Sequence, residues 1–330
     1  MAASHRAALM SGPGRPLQVT EAKTSHAGAG EVLIRNHAVA IQPLDTKILI
    51  AGYGPAAQLN YPAVLGTSGA GIVEKLGEGV QTLAVGDRVV FDTKAYVRVG
   101  ENQRTGTWQQ LVIGEVPFEQ AVLVDFPLQT AVAALHVFLG MGKPGSGNEE
   151  EKALIWGAGG AVGSYATQYA KQVSWLYDSR DSLAPRCRAP NEARATAVVN
   201  YRDADVVDKL RRLGPYKYIF TASGDAASQE ALAALAPPGG KFASVLPSAI
   251  ELRSNVDVIY TAFSQAAQKE EHAEWRDWWY QEYLPRVLSE GLVEPVKYGK
   301  VEGGLSALQQ ASQDVFDGNV KGKLVLNPQD

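Results

Sequence analysis

Four glycines within seven residues, Gly157, Gly159, Gly160 and Gly163, constrain this chain more than any other stretch. They follow the short apolar run Ala153-Leu-Ile-Trp156 and run into Val162, Tyr165, Ala166, Tyr169, Ala170 and Val173, which keep helical spacing. The stretch from Lys152 to Lys171 therefore reads strand, tight turn, helix. Glycines let a backbone approach a phosphate closely, and the free amides and positive end of the helix complement its charge. The spacing is Gly157-x-x-Gly160-x-x-Gly163, whereas a strict G-x-G-x-x-G would end at Val162. Taken alone, the stretch also fits an ordinary strand-to-helix turn, so its context has to decide.

That context is an alternation of elements. After Lys152 come the strand Ala197 to Asn200, a helix over Ala204 to Leu213 and the strand Tyr216 to Phe220. A helix over Ser228 to Leu235 and a strand from Lys241 to Leu246 follow, separated by Pro237, Pro238, Gly239 and Gly240. Alternating β and α elements predict a parallel, doubly wound sheet. Before Pro127 the chain reads instead as strands punctuated by glycine: Val32 to Ile41, Gly71 to Gly77, Asp87 to Phe91 and Gln109 to Ile113. That spacing suggests a compact, barrel-like domain. Beyond Glu271, Trp275, Trp278, Trp279, Tyr280 and Tyr283 mix spacings of three and four, which fits core or domain-interface packing better than a ligand cage. Val320 to Leu326 reads as a closing strand. With 330 residues, two domains are expected.

Composition excludes several roles. A net charge of −4 without a long basic run argues against nucleic acid and anionic membranes as partners. No stretch approaches the roughly 18 apolar residues of a spanning helix, and the first residues lack a signal core. The single cysteine, Cys187, can form no internal disulfide. A soluble, cytoplasmic protein is expected.

Several segments together resemble the medium-chain dehydrogenase/reductase superfamily, over nearly the whole chain. Ile41-Gln-Pro-Leu-Asp45 is similar to its N-P-x-D turn, with Gln42 in place of asparagine. Leu65-Gly-Thr-Ser-Gly-Ala-Gly-Ile-Val-Glu74 and Val85-Gly-Asp-Arg-Val89 resemble its barrel signatures. Gly106-Thr-Trp-Gln-Gln-Leu-Val112 resembles G-x-F-x-x-Y-V, and Gly318-Asn-Val-Lys-Gly-Lys-Leu-Val325 completes the set with the glycine turn. The implied fold is α/β: a Rossmann-type doubly wound parallel sheet plus a β-rich GroES-like barrel domain. The implied boundaries are 1–125 for the barrel, 126–270 for the nucleotide-binding domain and 271–330 for a return to the barrel.

Zinc-dependent members of that superfamily need a cysteine shortly before the acidic residue of the turn, a G-H-E segment and a further ligand. Here Gln42-Pro43 and Thr67-Ser68 stand at those places, Cys187 lies in the other domain, and histidines 5, 26, 37, 136 and 272 show no ligand spacing. No metal is expected. The chain then resembles the zinc-independent quinone and enoyl reductases, and its tail around Glu302-Gly-Gly-Leu305 is most similar to the fungal trans-acting enoyl reductase-like group.

The resemblance implies hydride transfer from NADP(H) to an activated C=C or a quinone. The substrate would be a small molecule or carrier-bound, with a polyketide synthase as a possible partner, and the protein a monomer or homodimer. In enoyl-thioester reductases a tyrosine lies ten residues beyond the turn's proline; here that is Tyr53, a proton donor or simply a turn aromatic. Lys47 matches a basic position, as a phosphate or substrate contact or as a surface lysine. Gly157, Gly159, Gly160, Ala161, Val162 and Gly163 would bind the cofactor, together with Tyr201, Ser244, Val245 and Leu246. Thr130, placed at the opening of a helix, would contact the cofactor or cap that helix. A second class of function stays open: a catalytically silent relative that binds a partner.

One segment departs from the pattern. A second parallel strand should follow Lys171, yet 174–194 carries two prolines, four arginines and no β-branched run. Asp178 falls by count where an NAD-binding acid would stand, without an expected strand to hold it. Either the segment is a diverged loop or it is translated in a shifted frame. Asp178 to Pro185 can be encoded so that a one-base shift reads Thr-Val-Val-Thr-Ala-Ser-Arg, a strand with the basic end used by NADP-binding relatives.

Overall fold

The computed structural model describes residues 4–81, 83–93, 95–96, 101–115, 125–146, 151–173, 175–179, 197–251 and 256–330. In chain order the first elements are β1 (Ser4–Met10), β2 (Gln18–Lys23), β3 (Glu31–Ile41), α1 (Pro43–Ala51), β4 (Ala63–Val64), β5 (Ser68–Leu76), β6 (Arg88–Asp92), α2 (Asn102–Thr105) and β7 (Leu111–Glu115). Next come α3 (Asp125–Val132), β8 (Lys152–Trp156), α4 (Ala161–Val173), β9 (Trp175–Ser179), β10 (Ala197–Val199), α5 (Val206–Leu213), β11 (Tyr218–Thr221), α6 (Ala226–Leu235), β12 (Gly240–Ser244) and β13 (Val256–Ile259). The chain finishes with α7 (Ala273–Trp278), α8 (Leu284–Ser289), β14 (Tyr298–Val301), α9 (Leu308–Phe316) and β15 (Lys323–Leu326).

These elements form two compact units, Met1–Phe126 with Pro295–Asp330, and Pro127–Glu294. In the first, β3 is the hub. It pairs antiparallel with β5, β7 and β15, and β5 carries β6. Its alternate residues Val32 and Ile34 pack against Val73, Val89, Phe91 and Val112, while Val39 and Ile41 join a second cluster containing Ile48, Leu49, Trp108 and Leu308. An antiparallel strand buried on both sides in this way anchors the helix that follows it. Pro43 at the first helical position suits α1, because its missing N–H is one that a helix start leaves unbonded.

The second unit is a six-stranded sheet in the order β10-β9-β8-β11-β12-β13, with every pairing parallel. Ala153, Leu154 and Ile155 of β8 are fully buried, as a central parallel strand covered on both faces requires. The expectation of a missing strand after α4 is corrected. β9 lies between β8 and β10, with Asp178 opposite Ile155 and Val198. Large apolar residues such as Trp175 and Tyr177 suit a strand without β-branching, and two neighbours supply its ladder. The basic stretch 180–194 lies outside the described residues.

The return to the first unit falls at Pro295 rather than Glu271. Residues 271–294 pack within the nucleotide-binding unit. Tyr283 meets Tyr169 edge-on at 5.6 Å, Trp278 lies 5.2 Å from His136, and the Glu294 amide donates to Gln168 Oε1 at 2.8 Å. The aromatic stretch is thus core packing, with Trp279 fully buried. Thr130 does not open its helix, which begins five residues earlier at Asp125 and accommodates Pro127 in its first turn.

Candidate functional site

The glycine turn sits between the end of β8 and the start of α4. Gly157 adopts φ of 81°, a left-handed conformation that favours glycine. Gly163 is needed for a different reason: a Cβ there would stand 2.2 Å from the Gly157 carbonyl oxygen, so helix and turn touch backbone to backbone. Gly160 N–H donates to the Gly157 carbonyl at 3.1 Å, and Ser164 N–H donates to the Gly160 carbonyl at 2.8 Å, closing the turn into the helix.

Beside the turn opens a cleft of about 630 Å³. Gly157, Gly159 and Gly160 form one wall. Trp156 and Tyr201, with ring centroids 6.0 Å apart, form an aromatic side, and Ser223, Asp225 and Glu230 contribute polar groups. The Arg202 guanidinium stands 5.4 Å from the Tyr201 ring centroid. Asp225 caps α6, accepting from Ser228 N–H at 2.9 Å. Burial opposes its ionisation, but hydrogen bonds from Ser223 and Ser228 outweigh that and hold its carboxyl below the ordinary value. The cleft lies at the carboxyl ends of parallel strands, where doubly wound sheets bind ligands. A glycine cradle, an aromatic wall and a helix N-terminus fit a dinucleotide.

Of the residues singled out in the sequence, the structure brings Gly157, Gly159, Gly160 and Tyr201 together in this cleft. Ala161 and Val162 start α4, and Gly163 is buried behind the turn. Ser244 ends β12 with its side chain fully buried; Oγ donates to the Leu246 carbonyl at 2.7 Å. Val245 and Leu246 are half-buried in the loop beyond it. Thr130 lies in α3. Sequence reasoning missed Trp156, Ser223, Asp225 and Glu230. A strand followed by Ser-Gly-Asp and a helix is a readable turn-and-cap signal, and Asp225 could have been found that way.

In the first unit, α1 carries the other candidates. Gly52 caps its C-terminus in the left-handed conformation, and Tyr53 N–H donates to the Lys47 carbonyl at 3.2 Å. The Lys47 ammonium stands 5.7 Å from the Tyr53 ring centroid, so the two meet in a cation–π contact. At the other end of α1, Gln42 N–H donates to Asp45 Oδ2 at 3.3 Å and Gln42 Nε2 to Ser68 Oγ at 3.2 Å. Lys323 of β15 donates to Gln42 Oε1, and Tyr96 Oη donates to Asp45 Oδ1 at 2.8 Å. Burial pushes the Asp45 carboxyl up to about 7, opposed by Tyr96, Gln42 and Lys323. Burial likewise pushes the Lys323 ammonium down to about 7 against the pull of Asp45. The turn is thus built on a sealed polar network.

A two-unit chain of this fold, with a dinucleotide-type cleft at the strand ends, belongs to the class of nucleotide-dependent oxidoreductases. The family profile of the alcohol dehydrogenase GroES-like domain matches residues 28–126. Trans-enoyl reductase tndF of Aspergillus flavipes is 29% identical over 99% of both chains. Trans-enoyl reductase tazE of Aspergillus terreus is 31% identical over 76% of this chain and 88% of its own. A solved structure of a putative zinc-dependent alcohol dehydrogenase from Rhizobium etli superposes with a TM-score of 0.78 at 20% identity, covering 99% of both chains, which shows the shared fold. The chain belongs to the medium-chain dehydrogenase/reductase superfamily and is one of its oxidoreductases. That family and fold imply a nicotinamide cofactor, NAD(P). No helix among the described residues is long and apolar enough to cross a membrane.

Proposed function

We propose that the protein is a zinc-independent, NADP(H)-dependent reductase of activated C=C bonds, acting in the cytoplasm on an enone or enoyl thioester. The single observation that carries this reading is Tyr53, fixed at the end of α1 with the Lys47 ammonium against its ring, in a chain that aligns end to end with a trans-enoyl reductase. When bound, the nicotinamide supplies the hydride. Gly157, Gly159, Gly160 and the first amides of α4 hold the pyrophosphate, and Trp156 and Tyr201 pack against the adenosine. Arg202, over the face of Tyr201, favours the extra phosphate of NADP. Tyr53 Oη would be the proton donor to the substrate's α-carbon, with solvent restoring the phenol.

Zinc independence is supported by the donors present. Gln42 and Ser68 are engaged with each other, Lys323 occupies the Gln42 oxygen, and no group of three His, Cys, Asp or Glu among the described residues could hold a metal. These residues do not fit a zinc ion. A carrier-bound substrate delivered by a polyketide synthase is the partner reading that the resemblance to the trans-acting enoyl reductase-like group implies.

Fluorescence titration with NADPH and NADH, followed by turnover of crotonyl thioester and enone substrates, tests the reading. Tighter binding of NADPH and metal-free turnover are expected. Stoichiometric zinc in active protein, or binding of neither nucleotide, would sink it.

A further inference from the structure

Helix α6 lies against the cofactor cleft and also against the loop that follows β12. Ala227, Glu230 and Ala231 line the cleft. Gln229, beside them in sequence, is fully buried and turned to the loop. Its Nε2 donates to the Gly224 carbonyl at 2.9 Å and the Pro247 carbonyl at 2.9 Å, with Ser244 Oγ at 3.2 Å. Its Oε1 accepts from Ala249 N–H at 2.9 Å. Carbonyls on one side and an N–H on the other dictate which way the amide faces.

These partners join the cleft wall to the end of β12 and the loop beyond it. Gly224 lies between Ser223 and Asp225, which both line the cleft. Ser244, Pro247 and Ala249 belong to the end of β12 and its loop, adjacent to β11 through the register Thr221↔Ser244. The two pieces touch closely, since a Cβ on Gly224 would stand 2.8 Å from the Leu246 nitrogen. Ligands of doubly wound sheets lie across the strand ends that these pieces form. An apolar replacement of Gln229 would release the loop at Pro247 and Ala249 and leave the buried Gly224 carbonyl without this partner.

We propose that Gln229 is a positioning residue of the cofactor site, clasping the cleft wall at 223–225 to the loop 244–249, so that nucleotide affinity depends on an amide behind the site. This rests on the reductase reading above. The clasp joins the cleft wall to the neighbouring loop without itself lining the cleft.

The test compares wild type, Gln229→Leu, Gln229→Asn and Leu232→Ala in fluorescence titrations with NADPH and NADH, alongside hydrogen exchange of the 244–249 amides. Leu232 is fully buried in the same helix, so its truncation destabilises the unit without removing the clasp. The expected result is a Kd about tenfold or more higher in Gln229→Leu, with faster exchange at Val245 and Ala249. Leu232→Ala should lower Tm yet keep Kd within about twofold. Gln229→Asn, which keeps the amide but shortens its reach, gives the same reading should the leucine variant not fold. An unchanged Kd in the Gln229 variants, or an equal rise in Leu232→Ala, would overturn the proposal. Wild type that binds neither nucleotide would instead overturn the reductase reading itself, and the clasp with it.

Discussion

The Lys47 ammonium stands 5.7 Å from the centroid of the Tyr53 ring, and the Tyr53 amide donates to the Lys47 carbonyl, so one turn of chain binds the two twice. Removing the phenol while keeping the ring separates its chemistry from its packing. Tyr53→Phe is expected to leave nucleotide binding unchanged and to lower kcat on an enoyl thioester by about a hundredfold or more, the usual loss of a positioned proton donor. Lys47→Met, which removes only the cation from the ring face, should lower stability by no more than about 1 kcal/mol. Steady-state kinetics and thermal melts check both; full activity in Tyr53→Phe would remove the tyrosine from the mechanism.

Gly163 admits no side chain. Alanine there would set a Cβ 2.2 Å from the Gly157 carbonyl oxygen, and the obstacle is backbone. Either the helix moves away from the turn or the turn opens, and both displace the amides offered to a phosphate. Gly163→Ala is expected to weaken NADPH binding by more than about tenfold. Gly159→Ala, at a position with nothing within 4 Å of the added carbon, should do much less. Calorimetric titration of the two variants side by side decides it.

Much of this arrangement was legible in the sequence because it is local. The glycine turn, the antiparallel strands around β3 and the closing strand at Lys323–Leu326 each announce themselves by periodicity and by their turn residues. What failed did so where tertiary partners decide. Trp175–Ser179 forms a strand although it lacks β-branching, because β8 and β10 complete its hydrogen bonds; the rest of the segment read as a shifted frame, 180–194, lies outside the described residues. The helix containing Thr130 starts at Asp125 because Pro127 falls in its first turn, where a proline is tolerated, rather than marking a break. Trp156 and Glu230 meet in the cleft from elements more than seventy residues apart, and Lys323 looks like a surface lysine between glycine and leucine until β15 carries it beneath α1. Site residues that depend on such convergence leave no local pattern.

Asp45 and Lys323 form a buried opposite-charge set sealed by Gln42 and Tyr96. Removing one partner leaves the other charge alone in the interior, so Asp45→Asn or Lys323→Met is expected to destabilise by about 3–5 kcal/mol. The double variant should recover most of that loss, because the desolvation cost disappears with the charges. The pH dependence has a definite sign. Asp45, raised from 3.8 to about 7, contributes stability that is lost as pH rises across that interval. Lys323, lowered from 10.5 to about 7, contributes stability that is lost as pH falls across its own interval. The difference in stability between wild type and the double variant is therefore least favourable to wild type near pH 7. Denaturant melts from pH 5 to 9 measure it, and a flat difference would refute the assignment.

His5 ties the first strand to the segment before β7, and its tautomer follows from its neighbour. Gln109 Nε2 donates to the Gly106 carbonyl at 2.7 Å, with the Gln103 and Arg104 carbonyls nearby, which turns Oε1 toward the imidazole. His5 Nε2 must then carry the proton it donates to Gln109 at 2.9 Å, leaving Nδ1 to accept from Thr24 Oγ1 at 2.9 Å. Protonating Nδ1 would reverse the Thr24 bond, with Oγ1 then accepting, and would charge a buried ring. Burial lowers the His5 pKa below 6.5, against the opposing pull of Gln109 and Glu21. A histidine depressed in the folded state contributes stability that is present above pH 6.5 and lost as pH falls through its folded value. Wild type is therefore expected to lose stability on acidification below about pH 6.5 more steeply than His5→Phe, which cannot titrate. Chemical denaturation of both proteins at pH 7.5, 6 and 5 tests this, and parallel curves would show that His5 carries no part of the acid sensitivity.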